Sequence, residues 1–170
     1  MLTIEKKSLK VGKRVNTAHV DKVIKNYKQE RWAHNSERLG KEDSLSAWWS
    51  IEEIEEFIAE AKSHNADGIK FYFAAYDETT TQTPEYVGLQ TLVMVGTKQK
   101  QNIDGTTKNK DVYVQTEKGN EIVAYNMGRL CPPFCGSANP VPPSPSTGID
   151  DGGDIGITII DRGDKGMIVI

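Results

Sequence analysis

Residues 68–97 read GIKFYFAAYDETTTQTPEYVGLQTLVMVGT, and this stretch decides the fold. Two apolar runs rich in aromatic and β-branched residues flank a polar loop of Asp, Glu, Thr, Gln and Pro. Ile69, Phe71, Phe73 and Ala75 fall on one face of an extended chain. Lys70, Tyr72, Ala74 and Tyr76 fall on the other, because side chains alternate along a strand. Residues 89–95 are apolar on nearly both faces, as a central strand should be.

Working outward, the segment before this pair carries the clearest local signal. Ser50 and Glu53 make a Ser-x-x-Glu capping box at the start of a periodic run. Ile51, Ile54, Phe57, Ile58 and Ala61 form its apolar face, and Glu52, Glu53, Glu55, Glu56 and Glu60 the remainder. Early glutamates suit the positive end of the helix dipole. Asn65 and Gly68 offer stop chemistry. The pattern predicts a helix from Ile51 to about His64, packed on the strand that follows. Its acidic face reads as solvated surface, because no Glu-x-x-His accompanies it.

Further upstream, Val20, Val23, Ile24 and Tyr27 recur at helical spacing, with Thr17 as candidate N-cap. Residues 31–49, RWAHNSERLGKEDSLSAWW, read as a connector rich in turn formers. A Trp48-Trp49 pair cannot place both indoles on one side of a regular element. One is expected in the core; the other can line a surface groove, where tryptophan often anchors a partner.

Downstream, residues 98–110 are polar and hold the turn pair Asp104-Gly105. Short strands are expected at 112–115 and 122–125. With 69–76 and 89–96 they make an antiparallel meander. The expected fold class is therefore α+β: a mostly antiparallel sheet of about four strands, two main helices on one face, and a C-terminal β-hairpin. The expected organisation is an α+β domain over 1–130, a Pro-rich linker over 131–148 and a hairpin or tail over 149–170. The linker holds six of the seven prolines, which fix φ and cannot donate to a ladder. In the tail Ile155, Ile157 and Ile159 alternate with polar residues, and Met167, Ile168, Val169 and Ile170 end the sequence. Such apolar strands need a β surface to cover them, within the chain or on a partner.

The 170 residues suit one domain plus a tail, and 37% hydrophobic with 26% charged residues is ordinary for a globular chain. A net charge of -3 gives no basic excess for nucleic acid. No apolar run reaches the about 18 residues of a membrane span. The first residues hold no apolar run of signal-peptide length, which places the protein in the cytoplasm. Its two cysteines are too few for a disulfide scaffold and are expected as reduced thiols. Cys131-Pro-Pro-Phe-Cys135 can pack as small apolar side chains, act as a redox pair, or supply half of a zinc site.

The order of capped acidic helix, GIKFYFAAY, TLVMVGT and CPPFCG resembles a group of small uncharacterised proteins from the Bacteroidota, over roughly residues 50–136. That resemblance implies a cytoplasmic accessory protein and supplies no catalytic residue. The expected function is a non-enzymatic interaction module without a cofactor. It would bind a protein partner or itself through the hairpin residues Ile155, Ile157, Ile159, Met167, Ile168, Val169 and Ile170, with Trp48 or Trp49 at a groove. The alternative is a thiol or zinc protein centred on Cys131 and Cys135.

Overall fold

The computed structural model describes residues 10–135, 159–161 and 167–169. In chain order the elements are α1 (Thr17–Tyr27), a π-helical turn (Lys28–Trp32), α2 (Ala33–Leu39), β1 (Ser46–Trp48), α3 (Ile51–Ser63), β2 (Gly68–Ala75), a 3₁₀ turn (Pro84–Tyr86), β3 (Gln90–Gln101), β4 (Thr107–Asp111), β5 (Tyr113–Thr116), β6 (Gly119–Ile122), β7 (Ala124–Tyr125), β8 (Arg129–Cys131), β9 (Ile159–Asp161) and β10 (Met167–Val169). The protein is α+β, and its main sheet is antiparallel, in the order β2-β3-β4 with β7 also on β3. The chain divides into two compact units, one built around Ala47–Arg129, the other from Arg14–Ser46 with the residues from Leu130 onward.

In the first unit α3 begins at the capping box. Ser50 Oγ accepts from Glu53 N at 3.1 Å, and Glu53 Oε2 accepts from Ser50 N at 2.8 Å. Asn65, at φ 62°, turns the chain after the helix. Phe57 and Ala61 of α3 meet Met94 and Val123 in the buried core, with Ile54, Ile69 and Tyr125 packed around them. Burying such a side chain contributes about 1.5–3 kcal/mol. Gly96 lets helix and sheet approach closely: a Cβ there would lie 3.3 Å from the Cβ of Ala61.

The polar stretch 98–110 is not a loop. β3 continues through Gln101, turns at Gly105 (φ +81°) and returns as β4. Backbone pairing makes these strands without apolar side chains. The expected meander is also altered. β5 and β6 pair with each other as a separate ribbon, and β7 returns to β3 at Met94 and Val95.

In the second unit the first helix is longer than its apolar pattern. Asn16, not Thr17, is the N-cap, accepting from His19 N at 3.0 Å. The helix runs on through the π turn and α2, and stops at Gly40 in the left-handed region. The turn-forming residues of the expected connector serve as side-chain ligands instead. Trp32 Nε1 donates to the Asp43 carbonyl at 2.7 Å, Asn35 Nδ2 to Asp43 Oδ2 at 3.0 Å, and Asp43 N to Ser36 Oγ at 2.9 Å. Asp43 is buried, and these bonds hold the returning chain on the helix. No helix among the described residues is long and apolar enough to cross a membrane.

Candidate functional site

The most distinctive surface of the first unit is the outer edge of β2. This eight-residue strand pairs with β3 on one side, and no described strand pairs with the other. The hydrogen-bond phase shows which groups are left open. Tyr76 N donates to the Leu89 carbonyl, and Gly96 turns its own N–H and carbonyl away from β2, toward Val123 and Val112. The even-numbered residues of β2 therefore exchange bonds with β3. Ile69, Phe71, Phe73 and Ala75 aim their backbone N–H and carbonyl groups outward.

The same residues carry the apolar face. Directly opposite residues share a face. Ile69 opposes Gly96, Phe71 opposes Met94 and Phe73 opposes Leu92. Core cover from α3 thins along this row: Ile69 is half-buried, Phe71 is 54% exposed and Phe73 79%. An edge strand with open backbone groups and two exposed phenyl rings is a template for pairing.

Lysine on an edge strand ordinarily discourages pairing. Lys70 is the one charge in β2, and it is directed elsewhere. Its Nζ reaches across β3 to Asp111 Oδ1 of β4 at 2.6 Å and donates to Tyr72 Oη at 3.0 Å. Tyr72 Oη donates to Asp111 Oδ2 at 2.8 Å. The bond from Lys70 holds the Asp111 carboxyl below its ordinary range, with Tyr72 adding to it. The Asp111 bond raises Lys70 in turn. The charge is thus held on the sheet face, away from the open edge.

The residues selected from sequence lie elsewhere. Trp48 is 59% exposed, with the Arg129 guanidinium 5.7 Å from its ring centroid. Trp49 packs against the core cluster, and its Nε1 is buried without a hydrogen-bond partner among the described residues. Cys131 and Cys135 are not the reduced thiols expected: their sulfurs are joined. The chain doubles back between them, with Phe134 N donating to the Leu130 carbonyl at 2.9 Å, which brings the two Cα atoms to 4.6 Å. In the C-terminal hairpin Ile159 pairs with Val169, Ile168 with Ile160 and Met167 with Asp161. Ile155, Ile157, Ile170 and most of the expected linker lie outside the described residues.

Sequence reasoning missed the β2 edge. It placed Ile69, Phe71, Phe73 and Ala75 on one face of the strand without saying which face the core takes, and the register puts that face on the side of Met94 and Gly96. The available signal was β2's position directly after α3, with β3 as its only neighbour in the chain's hairpin order. Comparison with protein-family models, with curated proteins and with solved structures found no match.

Proposed function

We propose that this protein is a non-enzymatic, cytoplasmic interaction module that associates with a second copy of itself by strand addition at the outer edge of β2. The observation that supports it is the coincidence, on Phe71 and Phe73, of open backbone groups and exposed rings.

The strand is suited to antiparallel self-pairing. Its outward residues must meet outward residues, so odd numbers face odd numbers. Among such registers, the one with its two-fold axis at Tyr72 uses all four. Ile69 then meets the second copy's Ala75, and Phe71 meets the second copy's Phe73. The palindrome Phe71-Tyr72-Phe73 gathers four phenyl rings on one face. On the other face Lys70 meets the second copy's Ala74, so the two lysines do not oppose. An interface of this kind is isologous, and main-chain bonds with ring contact supply the affinity.

Sedimentation of the full chain across a concentration series tests this. We expect mass to rise toward twice the monomer. Phe71→Glu and Phe73→Lys should each weaken association by about tenfold or more, ~1.4 kcal/mol. Mixing the two variants should restore it, because Glu and Lys then sit opposite. Wild-type chain that stays monomeric at millimolar concentration would sink the proposal. So would loss of association on removing residues 150–170 with no effect of Phe73→Lys, which would favour the C-terminal hairpin.

A second reading, thiol chemistry at Cys131 and Cys135, is favoured by the disulfide itself. In a cytoplasm such a bond is reversible rather than permanent. Zinc would require both thiolates, hence the reduced chain. A free-thiol count and elemental analysis, with and without reductant, test this reading. Two free thiols with stoichiometric zinc would favour it, and an unreduced, zinc-free chain in cytoplasmic thiol buffer would exclude it.

A further inference from the structure

An ammonium has three N–H donors, and Lys70 uses all three on the face of the sheet. They go to Asp111 Oδ1 at 2.6 Å, Tyr72 Oη at 3.0 Å and the Asn109 carbonyl at 3.2 Å. The nitrogen also lies 5.1 Å from the centre of the Tyr72 ring. Tyr72 in turn donates to the second Asp111 oxygen at 2.8 Å. Asp111 thus engages both side chains, and it stands on β4, with β3 between it and the open edge. Val95 of β3 lies opposite Lys70 and is buried. The stem that crosses β3 therefore runs beside an apolar neighbour while its charged head is satisfied beyond it.

Without that carboxylate the same lysine would serve the opposite purpose. A charged side chain on an edge strand discourages pairing, because an arriving strand must strip water from it. β4 shows this ordinary use: its Lys108 and Lys110 are exposed. In the self-pairing proposed above, Lys70 meets the second copy's Ala74. Ala74 is itself paired with Thr91, so the arriving face offers an ammonium a methyl group and a hydroxyl, and no carboxylate. The flexible stem of a Lys70 released from β4 reaches the edge, where pairing would desolvate its charge without a partner.

We propose that Asp111 is the positioning residue of the β2 edge: by holding Lys70 and Tyr72 over the sheet it keeps the strand open to a second copy, and its removal closes the edge. The inference rests on the self-pairing reading and names the group that controls it. The Lys70 and Asp111 side chains are 36% and 22% exposed, and an ion pair so open to water contributes little to fold stability. Its effect is on where the charge stands.

Sedimentation of the full chain across a concentration series tests this as a double-mutant cycle. Asp111→Ala should weaken association about fivefold, because the two-fold axis places the released lysine in the interface twice. In a chain already carrying Lys70→Met, the further change Asp111→Ala should have no effect on association, because the group that Asp111 restrains is gone. An Asp111 that only braced the sheet would weaken both backgrounds alike. Far-ultraviolet spectra matching the unsubstituted chain show that each variant is folded. Asp111→Asn, which keeps the volume and removes the charge, reads the same cycle if the alanine chain does not fold. Equal association of Asp111→Ala and the unsubstituted chain overturns the inference and leaves self-pairing intact. So does a loss of equal size in the Lys70→Met background. A chain that stays monomeric in every form overturns self-pairing, and this inference with it.

Discussion

At the scale of single residues, Gly128 shows how closely the first unit is fitted. A Cβ at this position would lie 2.4 Å from Cε2 of Trp49 and 2.5 Å from Cζ2, because the indole lies flat on the glycine backbone. Both contacts are far inside van der Waals range, so Gly128→Ala must move the ring or the strand. Overpacking of this kind costs about 1–3 kcal/mol. Chemical denaturation should show that loss, together with a red shift of tryptophan emission as Trp49 is displaced. Gly12→Ala is the control, since nothing lies within 4 Å of a Cβ there. The sequence divides the Trp48-Trp49 pair between two sides, and the alternation rule is enough for that. Which indole goes inward depends on Gly128, some eighty residues later, and no local pattern carries that information. Phe71 and Phe73 are the converse case. Their shared face is legible from period two, but their exposure depends on where α3 stops covering the sheet.

At the scale of elements, α3 was readable because every local signal agrees: the cap, the apolar stripe, the acidic first turn and the stop at Asn65. Ser50→Ala should lower stability by about 1 kcal/mol, the usual worth of an N-cap, measured by urea denaturation at neutral pH. The same cap makes stability depend on acid. The bond from the Ser50 backbone, then that to its hydroxyl, holds the Glu53 carboxyl below its ordinary value of 4.5. A carboxyl depressed in the folded state stabilises fully above its unfolded value, and that contribution is lost as pH falls through the folded one. Asp77 and Asp104, held down chiefly by Thr79 and Thr106, act in the same direction. Stability should therefore decline on acidification below about pH 4.5, and Glu53→Gln should flatten the upper part of that decline. Elements whose pattern is not apolar were the ones missed. β4 and the far half of β3 are polar on both faces and exist by backbone pairing around the Asp104-Gly105 turn. α2 carries Asn and Ser that favour turns in isolation, and only their bonds to Asp43 reveal why they are tolerated in a helix.

At the scale of the whole molecule, the helix and strand periodicities together indicated an α+β chain, as observed, while composition indicated only an ordinary globular content of apolar and charged residues. Composition could not report that the sulfurs of Cys131 and Cys135 are joined, since that pairing depends on how the loop doubles back. Nor could it report how charge is distributed between the two borders of the sheet. β2 lies on one border, apolar and with its lysine directed inward. The other is shared by β4, with Lys108 and Lys110 standing against Lys98 and Lys100, and by β7, which pairs with β3 at Met94 and Val95. Sedimentation should accordingly show monomer and dimer with no larger species.

That asymmetry sets a limit on growth. Joining two copies at Tyr72 would use up the inviting rim of each, and the rims left facing outward would be those of the amine-studded β4 and the two-residue β7. A sheet so terminated cannot recruit a third member, and the chain can keep a sticky border without the hazard of becoming a fibre. Neutralising the amines of the far rim would remove the terminator, and the pair would then be free to lengthen.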